Sequence, residues 1–154
     1  MIILRLFSLR ENAPDIIELS NGVTLLKLEY GIIAKLLRKF KSIRERQNKS
    51  LIYDVMLKGK SIGFIQVYEE VPEIELNISW LYIEPKHEGN HYATEVLKAF
   101  IEWAKKSKYK KLTLEVPSNS PNAYHIYKKL GFKETGEVEK SDLFGELIYM
   151  EKTL

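Results

Sequence analysis

The chain has no cysteine among its 154 residues. This absence excludes disulfide bonds, thiolate zinc sites and a cysteine nucleophile, and it is typical of proteins from a reducing compartment. No apolar run approaches the roughly 20 residues that cross a bilayer, and the first residues lack the charged start and small-residue cleavage site of a signal peptide. We therefore expect a cytoplasmic protein without a membrane partner. The three histidines, His87, His91 and His125, have no recognised ligand spacing, so no metal is expected.

What the chain does contain is enough apolar sequence for a buried core. Hydrophobic residues make up 45% and charged residues 29% of the sequence, which is the composition of a globular domain rather than of a disordered chain. No repeat, low-complexity tract or linker-like shift in composition divides it. We expect a single domain over residues 1–154.

The net charge of +3 hides one strongly basic stretch. Its basic residues are Lys35, Arg38, Lys39, Lys41, Arg44, Arg46 and Lys49, with Glu45 as the sole acidic residue among them. Two interpretations are open: the solvated side of an amphipathic helix, or a surface for nucleic acid or an acidic protein. We favour the first, because no recognisable nucleic-acid motif accompanies the charge.

Hydrophobic periodicity and turn residues predict alternating strands and helices. Strands are predicted at residues 2–7, 23–28, 51–57, 61–68, 74–83, 111–116, 133–138 and 147–153, and helices at residues 31–44, 92–104 and 122–130. The helix at 122–130 is well delimited, with Ser120 placed to cap it, Pro121 at its first position and Gly131 to end it. Hairpins followed by strand–helix–strand crossovers predict a mixed sheet with helices on both faces.

Two segments carry the chemistry. In IEPKHEGNHYAT, residues 83–94, a strand passes into a helix, and the unpaired N–H groups of a helix start bind phosphate readily. In SPNAYHIYKKLGF, residues 120–132, a short helix carries Tyr127 and ends at Gly131-Phe132. Together the segments resemble the GNAT superfamily of acyl-CoA-dependent N-acyltransferases. Family members show Val-x-Pro-x-x-Arg/Gln-x-x-Gly-x-Gly/Ala in the first and Asn-x-x-Ala-x-x-x-Tyr-x-x-x-Gly-Phe in the second.

The resemblance covers roughly residues 51–153 and implies a fold and an activity. The fold would be α/β (α+β), with a mostly antiparallel central sheet of about six or seven strands that splays in the middle. Residues 51–154 would form the acyl-CoA-binding core, and residues 1–50 the acceptor side. The activity would be transfer of an acetyl or other small acyl group from acetyl-CoA, the co-substrate, to a primary amine of a small molecule, peptide or protein.

The resemblance also assigns roles to residues. Tyr127 would donate a proton to the departing thiolate. The backbones of Leu81 and Ile83 would pair with pantetheine. The remaining cofactor contacts would come from Glu88, Gly89, Asn90, His91, Tyr92, Ala93 and Thr94 in the loop and helix start, and from Asn119, Asn122 and Tyr127 in the second segment. Lys128 and Lys129 are either 3′-phosphate ligands or solvated lysines.

The general base is not obvious, because Asn77 stands where many relatives carry glutamate. Asn77 would orient a water or the carbonyl, and Glu75, two residues away on the same side of the strand, would act through a water. Glu73 is a further step away. Both carboxylates are alternatively solvated groups on a sheet edge, and an amine that arrives neutral needs no strong base.

Two departures from the family pattern fall in the loop. Glu88 replaces Arg/Gln, and its carboxylate must point away if coenzyme A binds. His91 replaces a glycine; we expect that a helix start does not itself demand glycine, so that a protonated imidazole adds a favourable charge rather than crowding the site. These departures motivate the alternative of a catalytically inactive GNAT-fold binding or regulatory module. A homodimer through exposed sheet edges or Trp103 is a further hypothesis.

Overall fold

The computed structural model describes residues 16–19, 22–27, 50–142 and 145–154. Its strands are β1 (Ile16–Glu18), β2 (Val23–Lys27), β3 (Ser50–Leu57), β4 (Lys60–Val71), β5 (Glu75–Ile83), β6 (Lys111–Pro117), β7 (Lys133–Ser141) and β8 (Gly145–Thr153). Its helices are α1 (Tyr92–Lys106) and α2 (Pro121–Lys129), and a 3-10 turn, Pro85–His87, precedes α1. None of the helices in these ranges is both long and apolar enough to span a membrane.

The strands form one eight-stranded sheet in the order β1-β2-β3-β4-β5-β6-β8-β7. Neighbours are antiparallel except β5 and β6, which are parallel and joined by α1. The predicted mixed and mostly antiparallel sheet is confirmed, and β1 adds a short strand that the sequence pattern did not predict. The predicted strand at 2–7 and helix at 31–44, with the basic stretch, lie outside the described residues.

A one-residue bulge interrupts the pairing of β5 with β4. Val67 pairs with Ile78 and Gln66 with Trp80, so Ser79 is left over. Because side chains alternate along a strand, an extra residue exchanges the two faces. Leu76 and Ile78 belong to the core before the bulge, whereas Leu81 and Ile83 pack against it afterwards. Odd-numbered residues therefore face the core only in the second half of β5.

Helix α1 packs one apolar face into the core. Val96, Leu97, Phe100, Ile101 and Ala104 are buried, as the periodicity predicts. The core strands β4, β5 and β6 contribute Ile65, Leu76, Leu112 and Leu114 to the same cluster.

The Trp103 side chain packs against other aromatic residues of the domain. Its ring lies 5.9 Å from that of Phe100 and 6.0 Å from that of Tyr109, measured between centroids. This packing accounts for a side chain that the sequence suggested as a dimer contact; the homodimer stays a prediction.

Helix α2 begins and ends where its sequence indicates. Ser120 is the residue before the helix and Pro121 opens it, but the Ser120 side chain makes no capping hydrogen bond. The first hydrogen bond of the helix is donated by the Tyr124 N–H to the Ser120 carbonyl at 3.1 Å. Gly131 has a φ of 93°, a left-handed conformation that favours glycine at a helix end.

Candidate active site

The sheet opens between its two parallel strands. The β5–β6 register runs from Glu75 with Lys111 to Ile78 with Leu114 and ends there, although β5 continues to Ile83 and β6 to Pro117. The splay expected in the middle of the sheet is confirmed. The second half of β5 thus presents to the opening an edge that pairs with no strand of the described residues, and such an edge pairs readily with the amides of another chain or ligand.

A cavity of about 720 Å³ lies beside this open edge. Its walls are the second half of β5, the loop and first turn of α1, and one side of α2. The lining residues are Leu81, Ile83, His87, Glu88, Gly89, His91, Tyr92, Ala93, Thr94, Leu97, Asn119, Ser120, Pro121, Asn122, Ala123, His125, Ile126, Tyr127 and Lys129. The cavity is large enough for a cofactor-sized ligand.

The loop before α1 leaves a series of backbone donors without acceptors. The first hydrogen bond of the helix is donated by the Glu95 N–H to the His91 carbonyl at 3.1 Å. In the described ranges, the N–H groups of residues 89–94 donate to no acceptor. Unpaired N–H groups at a helix start carry partial positive charge, and they bind anions such as phosphate.

Two left-handed residues shape this loop. Gly89 has a φ of 81° and His91, the residue before the helix, a φ of 63°. The sequence suggested that this helix start does not itself demand glycine, and the backbone at His91 nevertheless adopts a conformation that glycine accepts at least cost. The His91 imidazole is exposed and makes no capping hydrogen bond.

The two remaining polar side chains of the loop differ in role. Asn90 donates from Nδ2 to the His87 carbonyl at 3.1 Å, so its side chain braces the loop and does not line the cavity. Glu88 lines the cavity with an exposed side chain and forms no ion pair with the described residues. Its carboxylate is therefore free to turn towards solvent, as binding of a phosphate would require.

Tyr127 lies on the cavity side of α2. Its ring packs edge-on against buried Phe132, with 5.9 Å between centroids, and its carbonyl accepts a bond from the Phe132 N–H at 3.0 Å. Burial raises the pKa of the Tyr127 hydroxyl to about 12, so this group keeps its proton at neutral pH. Within the described residues the hydroxyl has no hydrogen-bond partner and is available to a ligand.

Glu75 and Asn77 lie away from the cavity, on the opposite face of the sheet, which we call the outer face. The Glu75 carboxylate pairs with the Lys111 ammonium at 3.2 Å, which raises the pKa of Lys111. Asn77 is buried; its Nδ2 donates to the Thr113 hydroxyl at 3.0 Å, and its Oδ1 accepts from the Ser79 hydroxyl at 3.0 Å. Both side chains are thus engaged by neighbouring groups, and the structure does not bring them to the cavity.

Several lining residues were not predicted from the sequence. Pro121 and His125 are among them, and with Lys129, which the sequence offered as either a 3′-phosphate ligand or a solvated lysine, they lie at four-residue intervals along one stripe of α2. Lys129 lines the cavity whereas Lys128 does not. The described residues hold no cluster of three or more histidine or acidic side chains fit to bind a metal.

The outer face carries an acidic and aromatic surface beside the opening. Glu115 of β6 pairs in register with Tyr149 of β8, and the Tyr149 hydroxyl donates to Glu139 Oε2 at 2.5 Å. That hydrogen bond, followed by burial and the charges of Glu139, Glu115 and Glu137, raises the pKa of Tyr149 to about 12. Leu114 and Val116, on either side of Glu115 in the sequence, are buried in the core, which assigns the Glu115 side chain to the outer face.

Comparison with known proteins gives one family. Residues 23–132 match the profile of the acetyltransferase (GNAT) family. A comparison with curated protein sequences found no match.

Solved structures share the fold. An IAA acetyltransferase from Bacillus cereus is 19% identical with a TM-score of 0.72, over 86% of this chain and 99% of that one. A GNAT acetyltransferase from Elizabethkingia anophelis, with acetyl-CoA bound, is 19% identical with a TM-score of 0.72, over 88% of this chain and 100% of that one. A spermidine N-acetyltransferase from Vibrio cholerae, in complex with CoA and spermine, is 17% identical with a TM-score of 0.70, over 87% of this chain and 96% of that one.

Proposed function

The chain belongs to the acetyltransferase (GNAT) family, whose enzymes use acetyl-CoA as co-substrate, and we propose that it transfers an acetyl or other small acyl group to a primary amine. The acceptor is a small molecule, a peptide or a protein. Structural neighbours that include a spermidine N-acetyltransferase support an amine acceptor.

One observation carries the proposal: an open strand edge and a helix start with unpaired N–H groups border the same cavity. A molecule that fits both walls has an amide-bearing arm and a phosphate group. Coenzyme A has this combination. Its pantetheine arm would lie along Leu81 and Ile83, and its pyrophosphate would accept hydrogen bonds from the backbone at Gly89 to Thr94.

The chemistry is direct attack. The neutral amine nitrogen adds to the thioester carbonyl carbon, the carbon–sulfur bond breaks, and the sulfur takes a proton. Tyr127 is the residue of the cavity wall fit to supply that proton, because its hydroxyl is neutral at pH 7 and has no partner among the described residues. In this proposal the side-chain amides of Asn119 and Asn122 contact the cofactor from the cavity wall. Asn90 acts indirectly, because its hydrogen bond to the His87 carbonyl holds the shape of the loop that binds the phosphate.

Glu88 and His91 are the features that favour a non-catalytic binding module, since both lie where a phosphate would bind. The test is titration of the protein with acetyl-CoA by calorimetry, followed by thiol release in the presence of amines that include spermidine and a peptide with a free amino terminus. We expect binding and release. Binding without release from any amine favours the module, and absence of binding overturns the transferase.

A further inference from the structure

We infer that Gly63 of β4 is a positioning residue for the acyl donor, because its lack of a β-carbon determines where the open edge of β5 lies. The inference rests on the proposed function, in which the backbone of Leu81 and Ile83 pairs with the pantetheine arm. Gly63 itself is buried and does not line the cavity.

Gly63 lies at a close approach of β4 to β5. A β-carbon built on Gly63 would stand 2.0 Å from the Tyr82 carbonyl oxygen, 2.9 Å from the Tyr82 carbonyl carbon and 3.0 Å from Ile83 Cα. All three are backbone atoms, so no side-chain rotation relieves the contacts. The backbone of Gly63 is not left-handed, and the close approach alone therefore accounts for glycine at this position.

A bulge in β4 adjoins the close approach. Ser61 and Gly63 pair with consecutive residues of β3, so Ile62 between them is left over. Such an extra residue bends its strand locally. The Ile62 carbonyl accepts a hydrogen bond from the Glu84 N–H at 2.7 Å. The end of β5 is thus held against the bulged part of β4, where residue 63 has no room for a side chain.

One peptide group carries the contact at Gly63 to the open edge. The bond between Tyr82 and Ile83 is trans, and the C=O and N–H of a trans peptide point in opposite directions within one rigid plane. Because the Tyr82 carbonyl points to β4, the Ile83 N–H points to the opening, and Ile83 lines the cavity. A shift of the carbonyl therefore shifts the N–H that the donor would use.

The open side of β5 offers little resistance to such a shift. Within the described ranges, the pairing of β5 with β6 ends at Ile78. A carbon atom and a carbonyl oxygen in contact stay about 3.3 Å apart, so a methyl group at Gly63 would displace the Tyr82 carbonyl by about 1 Å. This displacement leads away from β4, and it would carry the Ile83 N–H into the cavity.

Gly63→Ala tests the inference with two ligands. Acetyl-CoA has the pantetheine arm, whereas adenosine 3′,5′-bisphosphate is the nucleotide part of coenzyme A without the arm. With the amine panel above, we expect kcat/KM for acetyl-CoA to fall about 100-fold, as a misplacement of about 1 Å can cause. The affinity for the bisphosphate, measured by calorimetry, should stay within about threefold of wild type, because phosphate binds at the helix start.

The matched control is Gly59→Ala, at the tip of the hairpin that β3 and β4 form. Gly59 has a φ of 79°, and a β-carbon there would have no neighbour within 4 Å, so this variant strains the turn without pushing on β5. Its kcat/KM and its affinity for the bisphosphate should match wild type. A Gly63→Ala variant as active as an active wild type overturns the inference. An equal loss of both ligands also overturns it, since that is general damage to the fold.

A backbone variant decides the question if Gly63→Ala fails to fold. Replacement of Ile83 by its α-hydroxy acid exchanges the N–H for an oxygen and leaves the contact at Gly63 in place. The affinity for acetyl-CoA should then fall about fivefold, the usual contribution of one hydrogen bond, while that for the bisphosphate is retained. Undiminished affinity for acetyl-CoA overturns the inference and leaves the transferase intact. If the wild-type protein binds no acetyl-CoA, the proposed function itself fails.

Discussion

The Asn77 amide joins β5 to β6 by donating to the Thr113 hydroxyl at 3.0 Å, one register before the pairing of the two strands ends. A buried amide whose partner is removed loses its hydrogen bond and stays desolvated. Asn77 therefore stabilises the point from which the sheet opens.

Asn77→Ala and Thr113→Ala should each lower the free energy of unfolding by about 1 to 3 kcal/mol, measured by urea denaturation. Because both variants remove the same bond, the double variant should cost less than the sum of the two. Additive losses would contradict a direct bond between these side chains.

Tyr127→Phe should slow thiol release about 100-fold while the dissociation constant for acetyl-CoA changes little, because the ring and its packing on Phe132 remain. Tyr124→Phe on the same helix is the control, since Tyr124 does not line the cavity. Full activity of Tyr127→Phe would refute the role of Tyr127 as proton donor.

The raised pKa of Tyr127 predicts a pH effect on stability. Burial raises this pKa from 10.0 to about 12, so between these values the folded protein holds a proton that the unfolded chain has lost. The contribution of Tyr127 to stability is therefore unchanged below pH 10 and decreases as pH rises towards 12. Tyr127→Phe should lose less stability over this interval than wild type, and its phenolate absorbance should lack one group titrating near pH 12.

His91→Gly should raise the free energy of unfolding by about 1 kcal/mol, because a residue with a β-carbon costs about that much more than glycine in a left-handed backbone conformation. His91→Ala keeps a β-carbon in the same conformation and should bring no such gain. Affinity for acetyl-CoA then separates the two roles of the imidazole. Tighter binding by His91→Gly indicates crowding, whereas weaker binding indicates a favourable charge.

Glu88→Gln should tighten acetyl-CoA binding severalfold at low ionic strength, with a smaller gain at high salt, because the side chain is exposed and its charge is screened. Glu102→Gln, on an exposed part of α1 outside the cavity, is the control and should leave affinity unchanged. Equal affinities for Glu88→Gln and wild type at low salt would mean that the carboxylate lies clear of the phosphate.

Local sequence was sufficient for the elements that build the cavity. The apolar face of α1 and the proline and glycine that bound α2 each follow from short-range rules, and both helices occur where these rules place them. The cavity wall formed by the loop and α2 was predicted from the family resemblance, because each of the two motifs that carry it is a continuous stretch of the chain.

The rest depends on contacts between distant residues. Whether Glu75 is free or paired depends on Lys111, which lies on another strand. Nothing in the sequence around His91 specifies its left-handed backbone, because histidine occurs far more often in other conformations. The point at which β6 leaves β5 is likewise set by the pairing of strands that are more than 30 residues apart in the chain.

The extra residue in β5, Ser79, determines which side chains of the strand face each side of the sheet. If Ser79 were deleted and the β4 register closed up, Trp80 and Tyr82 would turn inward, and Leu81 and Ile83 would turn out to solvent. A substitution along β5 changes one side chain, whereas a change of one residue in its length would alter the cavity wall and the outer face together.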